Sequence, residues 1–327
     1  MNNAIETPKI GISGKILSWE VLNADGSIDQ SCYRPSDNMI TDVGLDMIAS
    51  NPPPALYVDH DNSYSRYFCI GTGTSEPSAT DTTLTAETYR NRCSYESYYS
   101  TTYSANGSDP YYVYFQRGVQ TTIGTLNGTY GEIGFSPTLT ANANVFSKHR
   151  LKDENGDPTT ITISSTQQIR LKYVIVMCAS PSTMTTGTIG ISGIGNIDYQ
   201  AKWQNMTKYA LPWQMLDYHG QPPSWYSNWS MASIHSNLSF GDIGYSQGIG
   251  SATTASSFAT STYVAGSHEL YRYGYWSVDV ANGTWYGVCL GAYSISNPVY
   301  LIKFSPTFVK ANTHTMRFTF KISWGRS

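Results

Sequence analysis

Between Met316 and Trp324 the chain alternates without a break. Met316, Phe318, Phe320, Ile322 and Trp324 take every second position, with Arg317, Thr319, Lys321 and Ser323 between them. A period of two is that of a β-strand, so five large apolar side chains share one face and the polar ones share the other. The segment is therefore expected to be a central strand of the fold. Composition extends the argument to the whole chain. Charged residues are 13%, about half the ~25% usual for soluble domains, and their place is taken by 40 Ser, 35 Thr and 28 Gly beside 26 Tyr. Lys and Glu form helices readily, whereas Thr and Tyr suit strands, so a long helical bundle is ruled out. A length of 327 residues makes one large domain or two ordinary ones, with enough chain for a substantial core.

The remaining segments read in the same sense. Ile10, Ile12 and Ile16, continued by Leu17, Trp19 and Val21, have strand patterning and close on the turn sequence Asn23-Ala24-Asp25-Gly26. Residues 41–50 predict the one helix: Thr41 or Asp42 caps it, Val43, Leu45, Met47 and Ile48 share a face, and Pro52-Pro53-Pro54 stops it. Strands are expected at 67–70, 112–115, 130–135, 159–164 and 168–177. Others are expected at the alternating Tyr271, Tyr273 and Tyr275 and in the apolar run 299–304. Residues 75–86 suit an ordered polar loop, 152–157 a hairpin turn, and 183–197 a flat loop or edge strand. There is no repeat at solenoid or propeller periods. The expected fold is mainly β, sandwich-like, with one short N-terminal helix at about residues 41–50 and long loops. Its organisation is read as a β-rich core over 1–200, an aromatic-rich insertion over 201–265, and C-terminal strands over 266–327 that complete the same core.

A net charge of −3 and a pI near 6.0 give no electrostatic footprint for nucleic acid. The densest basic run, Lys148, His149, Arg150 and Lys152, reads as a solvated strand end. The first residues lack a positive start and an apolar run, so no signal peptide is expected. No stretch approaches ~18 uninterrupted apolar residues, so no membrane insertion is expected. Cys32, Cys69, Cys93, Cys178 and Cys289 are scattered, with no Cys-x-x-Cys pair. They read as reduced, mostly buried thiols of a protein made in a reducing cytoplasm, without a disulfide scaffold or zinc site.

Four groups of segments carry a resemblance. The first is Asn38-Met39-Ile40-Thr41-Asp42-Val43-Gly44-Leu45-Asp46. The second is Cys69-Ile70-Gly71-Thr72-Gly73-Thr74 followed by Ala79-Thr80-Asp81-Thr82-Thr83-Leu84. The third joins Glu132-Ile133-Gly134-Phe135, Asn144-Val145-Phe146-Ser147-Lys148 and Pro158-Thr159-Thr160-Ile161-Thr162-Ile163. The last is Phe304-Ser305-Pro306 with the closing run Met316 to Arg326. In order and spacing, over roughly residues 38–175 and 300–327, these resemble the tailed-bacteriophage virion structural proteins of the tail, tail-fibre and baseplate type. The resemblance implies a place in a virion, assembly with copies of itself and with other virion proteins, and no catalytic residue. Residues 200–270 have no counterpart in it, so the contact particular to this chain is expected there.

Chemistry-bearing motifs are scarce. Gly190-Ile191-Ser192-Gly193-Ile194-Gly195 lacks the spacing and the lysine of a phosphate loop. Asp59-His60-Asp61-Asn62 and Asp153-Glu154-Asn155-Gly156-Asp157 lack the spacing of a calcium loop and read as turns. There is no Gly-x-Ser-x-Gly elbow, nothing singles out His149, His219, His235 or His268 as a base, and the carboxylates do not cluster. No enzyme, metal or cofactor is expected. The distinctive composition is Trp203, Tyr209, Trp213, Tyr218, Trp225, Tyr226 and Trp229 within 27 residues, among Asn, Gln and Ser. Of these, Trp203, Trp213, Tyr218, Trp225, Tyr226 and Trp229 are the candidate contact residues. Tyr and Trp are enriched at protein interfaces. Rings beside amides equally suit sugars. The expected function is a non-enzymatic virion structural subunit. The alternatives are a receptor-binding module for host surface polysaccharide and a capsid decoration or head-fibre protein.

Overall fold

The computed structural model describes residues 4–6, 9–49, 66–93, 95–102, 111–179, 184–203, 230–235, 252–291 and 298–327. The described residues are mainly β, 60% of them in strands and 3% in helix, so the expected fold class is the one found. The chain forms two compact units: residues 11–101 with 113–177 and 325–327, and residues 1–10 with 102–112 and 178–324. Here they are called the N-terminal and C-terminal units.

In the N-terminal unit the strand Ile10–Leu22 pairs antiparallel with both Ile28–Cys32 and Ser36–Ile40. The turn that joins it to Ile28–Cys32 is the one its sequence predicts, with Gly26 at φ 85° and the Asn23 carbonyl accepting from the Gly26 N–H at 2.9 Å. Pairing then runs from Ser36–Ile40 through Ser147–Arg150, Glu132–Ser136 and Tyr67–Gly71 to Glu87–Arg92, all antiparallel. Gln168–Ala179 pairs with Ile10–Leu22 and with Tyr111–Gln120. From Gln168–Ala179, Tyr173 stacks on Phe135 with ring centroids 3.9 Å apart, and Phe68 packs against Phe135 in turn. The turn at 152–157 is present, closed by Asp153 N–H to Asp157 O at 2.9 Å. Lys152 and Pro158 face each other across it as an antiparallel bridge, so the expected hairpin turn is present, while the longer strands Ser147–Arg150 and Ile161–Ile163 pair elsewhere.

The helix runs Asp42–Met47, and Thr41 is its N-cap: Thr41 Oγ1 accepts from the Gly44 N–H at 2.8 Å. The cap does two jobs, since the same hydroxyl donates to Val145 O at 2.7 Å. The buried face is Gly44, Leu45, Ile48 and Ala49, and Val43 and Met47 are only half-buried, which corrects the face expected from the pattern. Gly44 sets the rotation. A Cβ there would stand 2.1 Å from Phe146 O, so glycine alone lets the helix meet the backbone of the neighbouring segment.

The C-terminal unit is a two-layer sandwich. One layer holds Ser257–Thr260, Glu269–Trp276 and Met316–Arg326, antiparallel, with Ala4–Glu6 added in parallel to Met316–Arg326. The other is six-stranded, in the order Thr185–Ile191, Gly195–Trp203, Pro298–Lys310, Gly283–Gly291, Ser230–Ile234 and Ala252–Thr254. Residues 185–191 thus form the edge strand their Thr/Gly composition allowed. Met316, Phe318, Phe320, Ile322 and Trp324 are all buried, as the alternation demands. Phe318 is the hub: it lies 5.7 Å from Trp285, 6.0 Å from Trp276 and 5.5 Å from Phe304, centroid to centroid. Buried indoles need a partner for their N–H. Trp276 Nε1 donates to Thr253 O at 3.1 Å, and Trp285 Nε1 to Ala281 O at 2.7 Å.

Candidate functional site

The aromatic-rich segment lies mostly outside the described residues: Trp213, Tyr218, Trp225, Tyr226 and Trp229 fall there, as does Asp59-His60-Asp61-Asn62. The backbone of Trp203 ends the strand Gly195–Trp203, opposite Tyr300. Gly190 to Gly195 is the tip of the hairpin joining Thr185–Ile191 to Gly195–Trp203, not a phosphate loop. Asp153 Oδ1 accepts the N–H groups of Asn155 and Asp157, the ordinary chemistry of an Asp-led turn. Cys32, Cys69 and Cys289 are buried and all five cysteines are free thiols. Burial pushes the Cys289 thiol up to about 12. Among the described residues no group of three His, Cys, Asp or Glu side chains could hold a metal ion, and no helix is long and apolar enough to cross a membrane.

Two features not singled out as sites in the sequence stand out. The first corrects the reading of the basic run: Lys148, His149 and Arg150 are buried, not solvated. Lys148 Nζ donates to Thr85 Oγ1 at 2.8 Å and pairs with Asp81 at 3.0 Å and Glu132 at 3.4 Å. Glu132, wholly buried, accepts the N–H of Thr85 at 3.0 Å on one oxygen and that of Ala86 at 2.7 Å on the other. Arg150 donates to the carbonyls of Gly131 and Thr159. Arg326 donates to Ile40 O and pairs with Asp42. Gly73 makes the arrangement possible, because a Cβ there would come within 2.3 Å of Glu132 Oε1. Together these residues form one polar knot tying the loop 72–86 to the sheet. Both Glu132 oxygens are engaged, which ties the carboxylate into the fold. The knot is structural.

His149 sits beside it, with Nδ1 2.9 Å from Asp37 O and Nε2 3.2 Å from Ser36 Oγ. Burial lowers its pKa from 6.5 to about 4, so it is neutral at pH 7.

The second feature is the outer face of the C-terminal unit's smaller layer. In Glu269–Trp276 the residues turned inward are Leu270, Arg272, Gly274 and Trp276. The three alternating tyrosines, Tyr271, Tyr273 and Tyr275, therefore line the outside. Tyr275 is 39% exposed. Arg317, on the adjacent strand, lies over the Tyr273 ring at 4.2 Å. At the end of the stripe Lys321 bridges Glu269 at 2.9 Å and Glu6 at 3.4 Å, and Tyr271 Oη donates to Glu269 at 3.0 Å. The Lys321 ammonium holds the Glu269 carboxyl below its usual range, and Glu269 raises Lys321 in return. A rigid aromatic stripe with a stacked guanidinium is the side-chain chemistry that dominates protein contact surfaces.

Compared with family models, curated proteins and solved structures, the chain finds no match.

Proposed function

We propose that the chain is a non-enzymatic structural subunit of a tailed-bacteriophage particle, belonging to its tail, baseplate or fibre apparatus. It acts by assembling with copies of itself and with neighbouring virion proteins. The observation that carries the assembly reading is the outward stripe Tyr271, Tyr273 and Tyr275 with Arg317 stacked on it. Tyrosine supplies large contact area with only two side-chain torsions to freeze, so it binds at low entropic cost. The virion itself is supported by the motif resemblance over residues 38–175 and 300–327. The scarcity of charge, 13% of residues, supports contacts that are apolar and hydrogen-bonded rather than screened ion pairs.

Sedimentation of the purified chain at low and high salt tests this. Self-association, or binding to another virion protein, is expected to persist at high salt and to be lost in Tyr273→Ala/Tyr275→Ala. A monomer that ignores every other virion protein overturns the reading.

A further inference from the structure

The six-stranded layer of the C-terminal unit carries a polar trough. Strand register lines up Thr186, Gln200 and Lys303 in one row across three strands, and Thr188, Asp198 and Ser305 in the next. The intervening backbone, at Gly187, Tyr199 and Phe304, forms the floor of an open groove of about 590 Å³. Phe304 points into the core, where it packs on Phe318, so the two polar rows stand on the opposite face. Four of the six side chains belong to the two outermost strands and are exposed to solvent.

Hydrophobic burial does not explain this surface, and neither does charge pairing within it. Thr188 Oγ1 donates to Asp198 Oδ1 at 2.6 Å, which leaves the other carboxylate oxygen open. Among the described residues, Thr186, Gln200, Lys303 and Ser305 make no side-chain hydrogen bond. The trough thus offers hydroxyls, an amide, a carboxylate and an ammonium in two parallel rows, with one positive and one negative charge. A neutral ligand whose own groups both donate and accept, repeated along an extended chain, matches this set. A polyanion gains nothing from a trough with no net charge.

We propose that the trough between the rows Thr186–Gln200–Lys303 and Thr188–Asp198–Ser305 is a binding site for a neutral hexose polysaccharide. A run of sugar rings lies across the strands. The Asp198 carboxylate accepts from sugar hydroxyls, the Gln200 amide pairs with hydroxyls on both its donor and acceptor sides, and Lys303 donates to ring or hydroxyl oxygens. The trough binds without cleaving, because glycoside hydrolysis needs two carboxyl groups flanking the bond and this trough has one. Each contact replaces a bond to water, so a single trough binds weakly, and repeated copies in an assembly raise the avidity. The site shares no residue with the tyrosine stripe or with the stretch 204–229 of the sequence.

Saturation-transfer NMR and titration of the full chain with maltohexaose, cellohexaose, laminarihexaose and mannohexaose test this, with hexagalacturonate as the anionic counterpart. At least one neutral hexamer is expected to bind. Its affinity is expected to fall about tenfold or more in Asp198→Ala/Gln200→Ala, for two lost hydrogen bonds. Both replaced side chains are exposed, so the variant is expected to melt and sediment as the parent does, which separates this test from that of assembly. Failure of all four neutral hexamers to bind at millimolar concentration overturns the proposal, as does binding of the anionic hexamer alone. Binding that survives in Asp198→Ala/Gln200→Ala but is lost in Trp225→Ala/Trp229→Ala also overturns it, and moves recognition to the aromatic-rich segment.

Discussion

The two units bury different things. The C-terminal unit is centred on rings, with Phe318 touching Trp276, Trp285 and Phe304. The N-terminal unit has its own apolar core around Phe68, Phe135 and Tyr173, but adds a buried knot in which Lys148 pairs with Glu132 and Asp81 and Glu132 accepts from the backbone of loop 72–86, while Arg150 satisfies the neighbouring carbonyls of Gly131 and Thr159. The difference is instructive because the two kinds of burial fail differently. An aromatic core loses stability in proportion to the area and packing removed. A buried ionic knot tolerates removal of the whole group better than removal of one member, since the remaining charge is then stranded. The knot also fixes a long irregular loop, whereas the rings fix the spacing of two sheets.

The largest expected effect is on the aromatic side. Phe318→Ala is expected to cost roughly 3–5 kcal/mol, by lost transfer energy and the cavity left among three rings. Urea unfolding measures this, and hydrogen exchange is expected to place the weakening in residues 184–203 and 252–324. A variant as stable as the parent would show that Phe318 is not the hub.

The comparable experiment on the knot is Glu132→Ala, with an expected loss of about 3–4 kcal/mol as Lys148 and two backbone N–H groups lose their acceptor. The second arm sharpens the comparison: Glu132→Ala/Lys148→Met is expected to be more stable than Glu132→Ala alone. If the double variant is instead the weaker by the full sum of the two single losses, the residues do not act as a knot.

A pH series separates the units further. The folded-state pKa of His149 lies at about 4 against 6.5 for the free side chain, so between these values the unfolded chain takes up a proton that the folded chain refuses. Stability contributed by the neutral imidazole is fully present above pH 6.5 and falls as the pH drops towards 4, by up to about 3 kcal/mol. Hydrogen exchange is expected to show this loss in the N-terminal unit, and His149→Gln is expected to flatten it. A pH profile that His149→Gln leaves unchanged would assign the acid sensitivity to the carboxylates.

The smallest effect belongs to the outer stripe. Tyr273→Ala is expected to change unfolding free energy by no more than about 0.5 kcal/mol, as surface substitutions do. If its effect approaches that of Phe318→Ala, the stripe is part of the core and not a contact surface.

Local signals were legible from the residues alone. The alternation in 316–324 named both the strand and its buried face, because a period of two sorts side chains whatever lies above them. Thr41 at the helix start and Gly26 in the first turn were legible for similar reasons, since a cap and a positive φ are satisfied within four residues. The β-rich class followed from composition. Which face is covered was another matter. Tyr271, Tyr273 and Tyr275 alternate as cleanly as the C-terminal strand does, yet it is their neighbours Leu270, Arg272, Gly274 and Trp276 that point inward. Periodicity groups residues by face but does not say which face meets the second layer. The helix posed the same problem: the close approach of Gly44 to Phe146 turned its buried side away from Val43 and Met47. The basic run 148–150 was least legible of all. Its partners Ser36, Asp37, Asp81, Thr85 and Gly131 are up to 113 residues away in the chain. A charge in sequence looks solvated until the fold brings it an acceptor, and burial of Lys148 is tolerable only because tertiary structure supplies two carboxylates and a hydroxyl at hydrogen-bonding or ion-pairing distance.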